Sequence, residues 1–210
     1  MTKVLITCGP TCVPIDDVRV ISNRSSGEMG HLLAQKFKRR GAWVTIVEGP
    51  TTHVLKTKVN RLVKYFYYEE LKERLFDELK NRSYDVVIHA AAVSDFQLKK
   101  KFTTKLKSDG GAINLKLVPT QKLIEQIKKI APKTFLIGFK MESRLPVKSV
   151  FQMTDSLFNK AGCDLVVLNA IGQGYQGYIL DAKNILVDKV LTKMGIVNNL
   201  PRVVEHKLAK

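Results

Sequence analysis

Cysteine is scarce in this chain, with only Cys8, Cys12 and Cys163 in 210 residues. So small and odd a set excludes a disulfide framework and fits a reducing compartment, so a cytoplasmic protein is expected. Cys8-x3-Cys12 has no matching second pair and no nearby histidine cluster, and no metal site is expected there. Long apolar runs are also missing: none approaches the ~20 residues that cross a bilayer. The opening Met1-Thr-Lys3 leads into a short strand rather than the apolar core of a signal peptide, and no membrane partner is expected. Acidic residues are few, 19 against 35 lysines and arginines, for a net charge of +16. Such an excess suits nucleic acid, a substrate carrying several phosphates, or simply a solvated basic surface. Lys72, Lys80, Lys122, Lys128 and Lys129 fall in helical patterns, which favours the last reading for most of them. With no helix-turn-helix spacing, zinc-finger pattern or RNA-recognition signature, no nucleic-acid partner is expected. Two further absences concern chemistry. No compact GxGxxG follows the first strand, so the standard dinucleotide fingerprint is lacking. No Ser/His/Asp or Cys/His set stands out either, which argues against a covalent nucleophile. His89 reads as a core histidine, and His31 and His53 as surface or helix residues.

What the chain does contain is a regular alternation of short β-branched runs with helical patterns. Strands are expected over Val4–Thr7, Trp43–Val47, Val63–Tyr67, Asp85–Ala90, Phe135–Phe139 and Asp164–Leu168. Helices are expected over Gly27–Arg40, Tyr68–Asn81, Thr120–Ile130 and Val147–Ala161. Near-continuous apolar strands such as Asp85-Val-Val-Ile-His-Ala-Ala-Ala92 belong to a sheet covered on both faces. The order therefore predicts an α/β fold: a doubly wound, Rossmann-like, mostly parallel sheet flanked by helices, formed as one domain over residues 1–210. Ligands in such sheets bind beyond the carboxyl ends of the strands, where the loops after Thr7, Ala90, Phe139 and Asn169 should cluster. Two segments depart from the alternation. Residues 97–111 carry Lys99, Lys100, Lys101, Lys105 and Lys107 and read as a basic flap, followed by an exposed strand over Ile113–Val118. Gly172–Lys189 reads as a loop and a last strand at Asn184–Asp188, a short antiparallel extension.

The richest stretch is Arg19-Val-Ile-Ser-Asn-Arg-Ser-Ser-Gly-Glu-Met-Gly30. A strand, a Ser/Gly loop and a helix start in that order form a ready anion site, because the first helical N–H groups lack partners within the helix. A βα connection needs only about 2–6 residues; roughly twenty lie between Thr7 and the helix. Arg19, Asn23, Arg24, Ser25 and Ser26 could bind a ligand or their own backbone, and the residue types leave both open. Gly9 and Thr11, directly after the first strand, could cradle phosphate or form a plain turn. Ala90-Ala-Ala-Val-Ser-Asp95 could let a flat ring or ribose lie against Ala91 and Ala92 while Asp95 accepts a hydrogen bond; alternatively Asp95 caps a helix. The flap lysines could neutralise a triphosphate beneath a closing lid.

Together these residues resemble the phosphopantothenoylcysteine synthetase (phosphopantothenate–cysteine ligase) family. The resemblance is carried by Thr7-Cys-Gly-Pro-Thr11 with Pro14-Ile-Asp16, Val18 to Gly30, Val47-Glu-Gly-Pro-Thr51, Ala90 to Asp95, Lys105-Leu-Lys107, Ile137-Gly-Phe139 and Asp164 to Asn169. It implies a ligase of coenzyme A biosynthesis that joins 4'-phosphopantothenate to L-cysteine through an acyl-nucleotide. The co-substrate would be CTP or ATP with Mg2+, with no flavin, in a stand-alone form and a homodimer. By resemblance Asn23 holds the phosphopantothenoyl group beside Arg19, and Lys105 promotes acyl-nucleotide formation. Gly9, Thr11, Ser25, Ser26, Gly27, Gly30, Ala91, Ala92, Asp95, Gln121, Lys122, Leu123, Ile124 and Phe139 fall at positions around the nucleotide. Pro10, Val13 and Glu28 depart from the family's glycine, glutamate and lysine. A family pair of lysines four apart corresponds to Ser156 and Lys160, of which Lys160 is carried over. Since the chain ends at Lys210, the family's closing helix is expected to be short or absent. A Rossmann-type NAD(P)-dependent oxidoreductase and a basic nucleic-acid-binding module are the alternatives.

Overall fold

Every second residue of the first strand points to the same side of the sheet, and this sorts the core into two layers. β1 (Lys3–Cys8) sends Val4, Ile6 and Cys8 to one face and Leu5 to the other, all buried. The computed structural model describes all residues except 108–110, 144–149, 173, 184 and 210. The elements after β1 are β2 (Cys12–Pro14), β3 (Val20–Ser22), α1 (Glu28–Arg39), β4 (Trp43–Glu48), β5 (Arg61–Lys64), α2 (Tyr68–Asn81) and β6 (Val86–His89). Then come β7 (Phe96–Leu98), β8 (Leu117–Pro119), α3 (Ile124–Ile130), β9 (Phe135–Glu142), α4 (Val150–Asn159), β10 (Leu165–Ala170), β11 (Gln176–Asp181), β12 (Leu186–Val190) and α5 (Lys193–Leu208).

Eight strands form one sheet in the order β12-β11-β10-β9-β6-β1-β4-β5. From β5 to β10 every pairing is parallel, whereas β10–β11 and β11–β12 are antiparallel. Counting only the parallel strands, the order is that of a doubly wound dinucleotide-type sheet, with its switch point between β1 and β6. The expected α/β class and antiparallel extension are therefore present. Leu33, Ala34 and Phe37 of α1 join Ile196, Leu200 and Val204 of α5 over one face. Leu71 and Leu75 of α2 and Ile127 of α3 cover the other.

Several expectations are corrected. The closing helix is neither short nor absent: α5 has 16 residues, is capped at Thr192, whose Oγ1 accepts from Gly195 N–H at 3.0 Å, and packs on α1. The strand expected at Val63–Tyr67 lies at Arg61–Lys64, because Tyr65 turns inward and donates its hydroxyl proton toward the carbonyls of Cys8 and Gly9. The helix expected from Thr120 starts only at Ile124, since Thr120 is held outside it, its hydroxyl on the Ser94 carbonyl. Of the strand expected over Ile113–Val118, only Leu117–Pro119 forms, paired with Phe96–Leu98. The last strand spans Leu186–Val190, and Gln176–Asp181, expected as loop, is a strand; Asn184 lies outside the described residues. So do residues 147–149 of the expected fourth helix and 108–110 of the flap. The long β1–α1 connection is itself folded, as the antiparallel pair β2–β3.

Candidate active site

The carboxyl ends of β6 and β9 open into a cavity of about 740 Å3. Small side chains make this space: Ala91 and Ala92 follow β6 and leave their backbone uncovered by bulk. Its wall is completed by Asn23 and Arg24, by Asp95, by the segment Gln121–Ile124 that leads into α3, by Phe139 on β9, and by Ser156 and Lys160 at the end of α4. Of the four loops expected to cluster, three line the cavity: Asn23 and Arg24 come from the connection after β1, Ala91, Ala92, Val93 and Asp95 from that after β6, and Lys140, Met141 and Glu142 from the chain after Phe139. Among the described residues the loop after β10 contributes nothing to the cavity, because that strand turns back into antiparallel β11 and Asn169 instead accepts from Tyr175 Oη at 2.6 Å.

Asn23 is held in place by the strand end it faces. Its Nδ2 donates to the carbonyls of Ala92 (3.2 Å) and Val93 (3.1 Å). Two carbonyl partners identify that end as the amide nitrogen, and among the described residues Oδ1 is left as an acceptor. The same strand end is tied to the segment after β1. Thr11 N donates to Ala92 O, Ala92 N to Gly9 O, and Ser94 N to Thr11 Oγ1 at 2.8 Å. Thr11 is fully buried and its hydroxyl is engaged in that bond.

Other predicted residues take up positions outside the cavity wall. Ser25 Oγ accepts from Gly27 N–H and Ser26 Oγ from Glu28 N–H, so both hydroxyls bond their own loop. Gly27, the N-cap of α1, has φ +75°, and a Cβ there would lie 2.3 Å from Thr51 Cγ2. At Gly30 a Cβ would come 2.3 Å from Cys8 Cβ, so this glycine permits α1 to lie against β1. Gly9 likewise abuts Gly49 and Thr51. Glu28 pairs with Lys193 of α5, which holds its carboxyl below the usual range.

Arg19 and the backbone of Leu106, the residue after Lys105, meet through one buried carboxylate. Asp16 accepts from Val18 N, Arg19 N and Arg19 Nη1, and also from Leu106 N at 3.0 Å; Arg19 Nη1 in turn donates to Leu106 O at 3.1 Å. Both backbone groups of Leu106 are thus clamped by the β2–β3 turn. Phe102 N to Ile15 O and Lys101 to Asp17 add two more ties. The hydrogen bond from Leu106, with those from Val18 and Arg19, lowers Asp16 to about 2. Lys105 itself is exposed beside this clamp. Asp16 carries no signal beyond its family string, because its partner lies 90 residues away.

The cavity charges are unevenly matched. Lys122 Nζ lies 2.5 Å from Asp95 and Lys140 lies 3.4 Å from Glu142, whereas Arg24 and Lys160 have no carboxylate partner among the described residues. His89 lies at the floor, Nδ1 2.9 Å from Thr7 Oγ1, and burial lowers it to about 4, so it is a neutral imidazole near pH 7. This core reading of His89 agrees with expectation; His31, read as a surface or helix residue, stands on a helix but is not at the surface. His31 is buried on α1, with Nε2 against Glu48 Oε1 and Nδ1 3.0 Å from His53 Nδ1. Burial, then His53 and Lys64, lower it to about 4.

The DNA/pantothenate metabolism flavoprotein C-terminal domain matches residues 1–210, the whole chain. The chain belongs to that family. The coenzyme A biosynthesis bifunctional protein CoaBC of Thermococcus kodakarensis is 36% identical over 208 residues, covering 99% of this chain and 49% of that protein. This family member therefore spans about half the length of that curated relative. Among solved structures, the DNA/pantothenate metabolism flavoprotein of Streptococcus pneumoniae superposes with a TM-score of 0.88 at 23% identity, covering 99% of this chain and all of the other. The C-terminal domain of a CoaBC protein superposes with a TM-score of 0.81 at 25% identity, covering 99% and 96%. The family read from the sequence motifs and the family matched are the same.

Proposed function

We propose that this domain is the ligase of the coenzyme A pathway that joins 4'-phosphopantothenate to L-cysteine, using CTP or ATP. The observation that carries this reading is the cavity at the ends of β6 and β9, lined together by Asn23 and Arg24, Asp95, Gln121–Ile124 and Lys160. A cavity with two unmatched cations suits a polyanionic co-substrate, and Ala91 and Ala92 leave room for a flat base or ribose. In the first step the acid's carboxylate attacks the α-phosphorus of the nucleotide and pyrophosphate leaves. In the second the cysteine amine attacks the acyl carbon, the nucleoside monophosphate leaves, and the amine's proton passes to solvent. No enzyme nucleophile is required. Lys105, anchored through Leu106, would offset negative charge at the phosphorus. Asn23, its nitrogen already committed to two carbonyls, would orient the acyl-nucleotide through Oδ1. Mg2+ enters with the nucleotide as part of the co-substrate. A homodimer in the cytoplasm completes the reading.

The test is pyrophosphate release by the purified protein with phosphopantothenate, cysteine, Mg2+ and either CTP or ATP, run side by side. Release with one nucleotide supports the assignment and settles the base preference. Silence with both, or NAD(P)-dependent turnover in its place, would overturn it.

A further inference from the structure

The carboxyl ends of β1 and β4 hold a second constellation, on the α1 side of the sheet, that the proposed reaction does not use. Cys8 and Glu48 are register partners across these strands, and His31 descends on them from the first turn of α1. One donor atom from each, the Cys8 thiol, a His31 ring nitrogen and a Glu48 carboxylate oxygen, lies within 4.8 Å of the other two. All three side chains are at most 2% exposed. We propose that Cys8, His31 and Glu48 bind a divalent cation of the zinc class.

The donor set decides the class. Sulfur with imidazole and one carboxylate suits zinc and its neighbours, whereas calcium and magnesium take oxygen alone. Zinc ligands at roughly 2.0–2.3 Å require donor atoms somewhat under 4 Å apart, so the cluster needs only a small adjustment, chiefly a parting of the close His31–Glu48 pair. Thiolate and carboxylate offset the two charges of the cation, the Cys8 proton leaving to solvent, and the Lys64 ammonium on the same carboxylate is exposed to water. Glu48 binds through Oε1 and keeps Lys64 on Oε2. His31 binds through Nε2, and its Nδ1 hydrogen goes to His53 Nδ1, which takes the outer place that a carboxylate, carbonyl or water more often fills. A purely hydrogen-bonded His–Glu–Lys chain has no use for the thiol, and the Cys8 thiol makes no hydrogen bond among the described residues. Cys12, four residues on, belongs to β2 and is not part of the group. Such an ion would pin the start of α1 to the ends of two central strands, directly behind the loop that carries Asn23.

Cobalt reports on this site without recourse to activity. The metal-stripped protein titrated with Co2+ should bind one equivalent, with thiolate-to-cobalt absorption in the near ultraviolet and the visible bands of an ion held by three protein donors and one water, both erased by Zn2+. Cys8→Ser should remove the thiolate band and weaken binding by more than the roughly 10–100-fold that loss of an outer partner costs, with His53→Ala falling in that smaller range. Cys12→Ser should leave spectrum and affinity unchanged. The absence of a thiolate band in the parent protein overturns the proposal whatever the variants do. So does a band that survives Cys8→Ser. Either result would make the cluster a proton-sharing network only, and neither would touch the ligase assignment.

Discussion

Two stretches of chain leave the carboxyl end of the sheet on either side of the switch point, and they treat their polar groups in opposite ways. Between β1 and α1, Thr11, Ser22, Ser25, Ser26 and Asp16 all turn their oxygens to neighbouring backbone or to Arg19. Between β6 and α3, Ala91 and Ala92 offer almost no side chain, and the cavity lies there. Donors in this long connection thus bond the chain around them, Thr11 and Asp16 because a buried polar group must find a partner and the more exposed serines as hydroxyls that turn the loop. The open space follows small residues instead. Asn23 belongs to both regions: it stands in the first and spends its nitrogen on the carbonyls of the second.

That contrast can be broken most directly at Asn23. Asn23→Asp would set a carboxylate against two carbonyl oxygens and lose both bonds. Amide formation should fall roughly 10²–10³-fold while the acyl-nucleotide still forms and accumulates in rapid-quench samples. Unchanged turnover would detach this residue from the chemistry. The floor of the second region answers to pH. The unfolded chain takes up a proton at His89 below 6.5, and the folded chain resists until about 4, so stability should fall as pH drops through that window. The loss should be on the order of 3 kcal/mol by pH 4, measured by urea unfolding, and His89→Asn should flatten the slope. Gly30→Ala tests whether that glycine serves packing: about 1–3 kcal/mol of stability should go, with nucleotide affinity retained. Asp16→Asn should slow acyl-nucleotide formation roughly tenfold, speed proteolysis near Leu106 and lower Tm, because it takes the charge from a buried acceptor of four hydrogen bonds. Ser26→Ala is the smallest step, costing at most about 1 kcal/mol and leaving kinetics alone if its hydroxyl only turns the loop.

Much of this was legible before any coordinates. The β-branched runs at Val4–Thr7, Trp43–Val47 and Asp85–Ala90 announced central parallel strands because both faces of such strands are apolar. Asn23, Ala91, Ala92, Asp95, Gln121–Ile124, Phe139 and Lys160 stand out in the sequence, and they line one cavity. Less legible were pieces whose partners are remote. β7 and β8 exist only through each other, and β5 stops where Tyr65 turns toward the end of β1. For His31 the sequence leaves surface and helix both open, because its periodicity cannot reveal that Cys8 and Glu48 end two neighbouring strands beneath it.

The alternation of strand and helix, the class of the fold and the identity of its polar loops were properties of the sequence alone, because they rest on periodicities of two and of about 3.6 residues along the chain. Which donors stay free, which glycines face protein rather than open space, and which cysteine meets a histidine were decided only by the tertiary structure. Those outcomes depend on the register of β1 against β4 and β6 and on where α1 crosses them. Contacts between residues scores of positions apart have no periodicity to read.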